Sequence, residues 1–219
     1  MNIVFLSHPA FLGHKSMPRF AKMLAEGMAA RGHNTEIWTA QERAAKLSNR
    51  PFIKKWLGYI DQYLVFPSEL QRKARTRPKD TLFVFTDQAL GPWVPHVAHR
   101  PHVIHCHDFL ALQSAIDEIK EKRTDWTGMQ YQKMIRRGFS KGKHFISVSQ
   151  KTISYLEKYL HDKPHTSEVV YNGFHQKFYP IPQQEARRSW GEKVALDLTQ
   201  GYILHIGGNL WYKNIKGVL

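Results

Sequence analysis

The sequence predicts an α/β fold, a parallel sheet covered by helices on both faces. Short apolar runs rich in β-branched and aromatic residues alternate with segments whose apolar residues fall at helical spacing. Strands alternating with helices point to βαβ units, whose crossovers cover a parallel sheet on both faces. Hydrophobic residues make up 42% and charged residues 23% of the 219, enough apolar matter to build such a core.

Residues 2–7, Asn-Ile-Val-Phe-Leu-Ser, form the first predicted strand, followed by a Gly/Pro-containing loop over 8–16. Met17, Phe20, Ala21, Leu24 and Met28 then share one helical face, and Gly32 suits that helix's end. Strands are expected at 35–39, at 81–86 (Thr-Leu-Phe-Val-Phe-Thr) and at 102–107. Tyr131, Met134, Ile135 and Phe139 predict a helix ending near Gly142. Residues 145–148 make the next strand, and Ser149 is a natural cap for a helix carrying Ile153, Leu156 and Leu160. A strand at 169–171 closes the series before Asn172-Gly173, a tight-turn signal.

Residues 180–200, with Pro180, Pro182 and a polar run, read as a linker. A second domain then begins: 202–206 has the length of a strand, Gly207-Gly208-Asn209 the chemistry of a strand-to-helix loop, and 213–219 the start of a helix. The expected organisation is therefore a domain over 1–180, a linker over 181–200 and the opening of another domain over 201–219.

Cys106 is the lone cysteine, so no disulfide forms within the chain and a reducing compartment suits it. The first residues lack a basic leader, and no stretch approaches the about 18 apolar residues of a membrane span. A cytoplasmic protein is expected. Lys and Arg number 32 against 18 Asp and Glu, a net +14 that favours anionic partners such as phosphorylated molecules, nucleic acid or acidic membrane. The densest basic patch is Arg72, Lys73, Arg75, Arg77 and Lys79. Zinc-finger spacing, a basic-region helix and an RNA-binding aromatic signature are all missing, so no specific nucleic-acid partner is expected.

In open parallel sheets ligands bind beyond the carboxyl ends of the strands. That selects the 8–16 loop, the 105–109 segment and the 171–175 turn. Within His105-Cys106-His107-Asp108, the two histidines share one strand face and Cys106 the other, which argues against a nucleophilic pair of neighbours. No distant ligands complete a metal site. His107, at the strand's carboxyl end, is the stronger candidate for contact with a reacting substrate; a histidine satisfied by a backbone carbonyl is the plainer alternative. In the first loop, Gly13 would let backbone approach a ligand and Ser16 opens a helix whose N-terminus suits phosphate, although neither G-x-G-x-x-G nor a Walker loop is present.

Four segments together resemble glycosyltransferase family 4. They are Gly32-His33 before a strand, Phe145-Ile146-Ser147-Val148-Ser149, Val169-Val170-Tyr171-Asn172-Gly173-Phe174 with Phe178 and Pro180 behind it, and Ile206-Gly207 with Lys216-Gly217-Val218-Leu219. They occur in the family's order across nearly the whole chain. The resemblance implies the N-terminal half of a GT-B fold, in which two Rossmann-like domains face a cleft, plus the first βα unit of the second. It implies a retaining transferase that moves sugar from a nucleotide-sugar donor to a glycan or lipid-linked acceptor, without metal or further cofactor, in polysaccharide or cell-envelope synthesis.

By the same resemblance, His107 contacts the transferred sugar, Gly13 and Ser16 approach the donor diphosphate, and Lys216 neutralises it as it leaves. His105, Asp108, Asn172 and Gly173 are the acceptor-side candidates. The chain departs from the family at the first-loop Gly-Gly pair, where Gly13 stands alone, and at the arginine of "GR", where Gly208 and Asn209 stand and Lys213 is the substitute. The family's E-x7-E segment is expected beyond Leu219, so the chain as given is expected to bind donor poorly and turn over little. The rival reading is a non-catalytic, basic Rossmann-like module for phosphorylated ligands or nucleic acid.

Residues 52–66 place Ile53, Trp56, Leu57, Ile60 and Leu64 on one helical face beside Lys54 and Lys55. A helix packed on the sheet is the ordinary expectation. The alternative is an amphipathic helix that docks peripherally on the inner, anionic face of a membrane.

Overall fold

In the computed structural model, six parallel strands lie in the order β2-β1-β3-β4-β5-β6. They are β1 (Asn2–Leu6), β2 (Asn34–Trp38), β3 (Leu82–Phe85), β4 (His102–Cys106), β5 (His144–Ser147) and β6 (Thr166–Val169). The structure describes all residues except 14, 174–177, 207–210 and 219. The Gly207-Gly208-Asn209 turn, Phe174, His175 and Leu219 thus lie outside the described residues.

The chain divides into two units, Met1–Gly173 and Phe174–Leu219. In the first, alternation along the strands sends Val4, Leu6, Phe83, Phe85, Ile104, Cys106 and Phe145 to one face. Ile3, Phe5 and Val84 go to the other, where helix α1 (Ser16–Ala29) covers them with Leu24, Ala25 and Met28. Both faces of the central strands are therefore buried. The two edge strands are the exceptions, β2 (Asn-Thr-Glu-Ile-Trp), of which only Trp38 is buried, and β6. The Thr-Ser-Glu-Val sequence of β6 alternates exposed and half-buried residues, and it begins three residues before the 169–171 run that composition alone selects.

The larger core is roofed by one continuous helical rod: α2 (Pro51–Ile60), a π-helical turn (Asp61–Val65) and α3 (Phe66–Arg75). Phe66 packs on Trp93 with ring centroids 4.5 Å apart. Trp93 lies in a 3-10 segment (Gln88–His96) and donates its indole N–H to the Gln62 carbonyl at 2.7 Å. Helix α5 (Trp126–Phe139) crosses that segment where Gly91 meets Gly138. The remaining helices of the unit are α4 (Leu110–Ala115) and α6 (Gln150–Tyr159), the latter capped by Ser149 as expected.

Asp61 ties the rod to the segment after β2. Its buried carboxylate accepts backbone N–H bonds from Arg43 at 3.0 Å, Ala44 at 2.8 Å and Ala45 at 2.9 Å. Burial alone would raise its pKa, but those three bonds and the Arg43 charge hold it below the ordinary value. Asp61→Ala leaves three donors without their acceptor and should cost about 2 kcal/mol. Urea unfolding checks this, and an unchanged midpoint would show that the carboxylate does not hold the turn.

Within the second unit, α7 (Gln183–Val194) occupies most of the expected linker, and α8 (Ile215–Val218) follows a single 3-10 turn (Trp211–Lys213). Residues 202–206, expected as a strand, carry no strand pairing among the described residues. A strand is defined by neighbours that take up its N–H and C=O groups, and apolar character supplies none of them.

Candidate functional site

The strand order reverses between β1 and β3, whose carboxyl ends lie side by side, and ligands of open α/β sheets bind at such a switch point. Thr86 stitches the two ends together, donating both its N–H (3.1 Å) and its hydroxyl (2.8 Å) to the Leu6 carbonyl. His8 follows β1 and Asp87 follows β3; His8 Nε2 donates to Asp87 Oδ2 at 2.9 Å. Burial, the largest influence, pushes the Asp87 pKa up. The His8 hydrogen bond and charge, the Ala89 N–H and the charge of His107 outweigh it and keep Asp87 ionised below the ordinary carboxylate range.

His107 lies one residue past β4 and is held from every side. Its N–H donates to Gln88 Oε1 at 2.9 Å, and its carbonyl accepts from the Thr152 hydroxyl at 3.1 Å. Phe20 of α1 meets the imidazole edge-on, with centroids 4.7 Å apart. Nε2 is 2.9 Å from the Thr86 carbonyl, which can only accept, so that nitrogen carries the proton. In the neutral ring, Nδ1 then presents a lone pair, and it has no hydrogen-bond partner among the described residues. The backbone-carbonyl contact anticipated as the plainer alternative is thus present, and it fixes the ring.

His105 shares the His107 face, as strand alternation requires, and also meets Phe20 edge-on at 5.4 Å. Burial, reinforced by His107, lowers its pKa to about 4. An unfolded chain would take up this proton near pH 6.5 and the folded one only near 4, so stability rises with pH across that window. At most about 3 kcal/mol is lost on acidifying from pH 6.5 to 4, and His105→Phe should flatten that part of the curve. A profile identical to the parent's would remove His105 as the cause. Cys106 faces the opposite way, into the core, and burial, then the Asp87 charge, pushes its thiol pKa well up. It is no nucleophile.

The remaining expected residues are less uniform. Gly13 adopts a left-handed φ of 72° closing the 3-10 turn Ala10–Leu12, and Ser16 is the first residue of α1. Lys15, the preceding cap, makes no side-chain bond to the helix end, so the first N–H groups of α1 have no side-chain cap there. Asp108 is exposed, and its carboxylate accepts the Leu110 N–H at 3.1 Å as α4 begins. Asn172 and Gly173 are exposed, and Gly173 lacks the positive φ of a tight Asn-Gly turn. Lys213 and Lys216 are both exposed and belong to the second unit. Among the described residues, no group of three His, Cys, Asp or Glu is arranged to hold a metal.

Sequence reasoning selected the loop that begins at His8 but not the residue, and it passed over Asp87 and Gln88 altogether. The rule of strand carboxyl ends applies equally after β3. What was missing is that β3, third in sequence, lies between β1 and β4 in the sheet.

A search of the curated proteins finds no match. Among solved structures, a Glycyrrhiza uralensis UGT73P12 in complex with glycyrrhetinic acid 3-O-monoglucuronide superposes with a TM-score of 0.42 and 13% identity over 80% of this chain. This chain spans 49% of that protein's length, and a likeness so distant carries no functional argument. The model of Glycosyltransferase Family 4, in contrast, matches residues 17–177, well over half of the chain and almost the whole of its first unit. The sequence resemblance and this match agree: the chain belongs to glycosyltransferase family 4.

Proposed function

We propose that this chain is the acceptor-side half of a retaining glycosyltransferase that moves a sugar from a nucleotide-sugar to a glycan or lipid-linked acceptor. The synthesis it serves is that of polysaccharide or cell envelope, at the cytoplasmic side. The observation that carries the reading is the state of His107: ring and backbone held at the carboxyl end of β4, next to the switch point, with only Nδ1 left for a ligand. Such a nitrogen accepts a hydrogen bond from a sugar hydroxyl and orients the ring for transfer, which is positioning rather than nucleophilic attack.

The α1 N-terminus, with Gly13 and Ser16, meets the donor diphosphate. Lys213 and Lys216 offset the negative charge that develops as the diphosphate leaves, and no metal is required for that task. Exposed Asp108, Asn172 and Gly173 are open to the acceptor, whereas His105 is screened by Phe20 and serves the site by remaining neutral.

Histidine side chains labelled with ¹⁵N test this on the chain as it is. Adding millimolar nucleotide-sugar should shift His107 Nδ1 in the direction of an accepted hydrogen bond, with Nε2 nearly still. Saturating donor that leaves both nitrogens unmoved would remove His107 from the sugar site.

A further inference from the structure

Of the stripe expected to pack on the sheet, Leu57 is half-buried and the other four face the solvent instead. In α2 and its π-helical extension, Ile53, Trp56, Ile60 and Leu64 are exposed, Trp56 by 47% and Leu64 by 68%, and Phe52 beside them is exposed as well. The opposite side of the rod is the packed one: Gln62 is buried, the Tyr63 and Tyr131 hydroxyls bond at 2.7 Å, and Phe66 enters the core. The apolar surface continues onto α5. Trp126 is 68% exposed and shares with Trp56, Tyr59 and Tyr131 the lining of a groove of about 380 Å³. Two exposed tryptophans, a phenylalanine and three branched aliphatics on adjoining helices exceed what a wetted surface ordinarily shows.

We infer that this face docks the protein on an anionic lipid bilayer, with the stripe lying in the interface plane. Charge selects that occupant. Lys46, Arg50, Lys54 and Lys55 border the stripe at its N-terminal end, and among the described residues Lys46, Arg50 and Lys55 form no ion pair. The nearby carboxylates are engaged: Glu42 by Lys54 at 2.7 Å, Asp61 by three backbone N–H groups, and Asp125 by the Gly128 N–H at the start of α5 and by the charge of Lys55, which leaves Lys46 and Arg50 uncompensated among the cations bordering the stripe. At the other end of α5, Arg137 and Lys141 line a second groove with Tyr63 and Met134.

A second copy of the chain would bring these cations against their own images. A saccharide would find too little to hydrogen-bond along Phe52, Ile53, Ile60 and Leu64. An anionic bilayer accepts both features, taking the apolar side chains to a depth of about 5–10 Å and attracting each nearby Lys or Arg. Tryptophan is suited to that boundary. The geometry also connects the face to the site. Gly58 sits against Phe11, where an added Cβ would lie 3.2 Å from the Phe11 ring, and Phe11 belongs to the loop that begins at His8.

Sedimentation of the whole protein with phosphatidylcholine vesicles, with or without about one third phosphatidylglycerol, tests the inference without any nucleotide-sugar. The outcome is therefore independent of the transferase reading. Anionic vesicles should bind at least about tenfold more tightly than neutral ones, and the double variant Trp56→Ser/Leu64→Ser should lose about tenfold or more of that binding. Both positions are exposed, so the variant's melting temperature should match the parent's. Three results would overturn the proposal: no binding to anionic vesicles, equal binding by the variant, or a stripe that acts only in self-association or in holding a soluble oligosaccharide.

Discussion

Replacing His107 by alanine is expected to lower the turnover of a protein spanning both halves by about 10²–10³-fold. Donor affinity should change by less than about threefold, because the contacts proposed for the diphosphate lie elsewhere. The expectation follows from the way the ring is held. The Thr86 carbonyl accepts the Nε2–H hydrogen bond, Phe20 bounds the ring, Gln88 and Thr152 hold the backbone, and only Nδ1 is left to meet a hydroxyl. Removing the ring removes a positioned acceptor whose main effect is on geometry in the transition state. His107→Gln keeps an N–H donor and an oxygen acceptor and should recover part of the loss. Turnover unaffected by His107→Ala would take the residue out of the reaction.

The second large effect concerns the crossing of α5 over the 3-10 segment. A Cβ on Gly138 would overlap the Gly91 carbonyl, and one on Gly91 would overlap the Ile135 carbonyl. Both obstacles are backbone inside two packed elements, so neither can rotate aside. Gly138→Ala should cost about 3 kcal/mol or more. For a chain of this size, that lowers the melting temperature by about 6–12 °C. Gly27→Ala is the control. It too lies within a helix, but its added methyl would meet only the Arg31 guanidinium at 3.6 Å, an ordinary contact. There the gain in helix propensity should stabilise by about 0.5–1 kcal/mol. Calorimetry that finds the same sign for both variants would contradict the close crossing. The crossing also bears on the site, because the 3-10 segment begins with Gln88, whose amide oxygen fixes the His107 backbone.

Much of the fold was legible because the central strands are buried on both faces. Residues 3–6 and 82–85 are continuous apolar runs for that reason, 102–107 interleaves Val103, Ile104 and Cys106 with three histidines, and each segment contains an observed strand within a residue of its expected ends. Edge strand β6 was legible only in part, since its polar alternation hides the beginning, and the apolar 202–206 run has strand composition without strand partners. The stripe on α2 was read correctly as a helical face, but amphipathicity alone does not say which side of a helix the core will take.

The candidate site divides the same way. His107 was legible because its position relative to β4 is local. His8 and Asp87 are 79 residues apart and meet only because the third strand in sequence inserts between the first and the fourth. No spacing pattern encodes that juxtaposition.

The central claim is sugar transfer from a nucleotide-sugar. A protein carrying both halves should be incubated with a panel of nucleotide-sugars and glycan or lipid-linked acceptors, and the product followed by mass spectrometry and NMR. The account predicts that one donor is consumed and that its sugar appears on the acceptor with the donor's own anomeric configuration. A product of opposite configuration would contradict retention. Phosphorylated ligands or nucleic acid bound with no sugar ever moved would contradict the transferase itself and return the chain to a basic binding module.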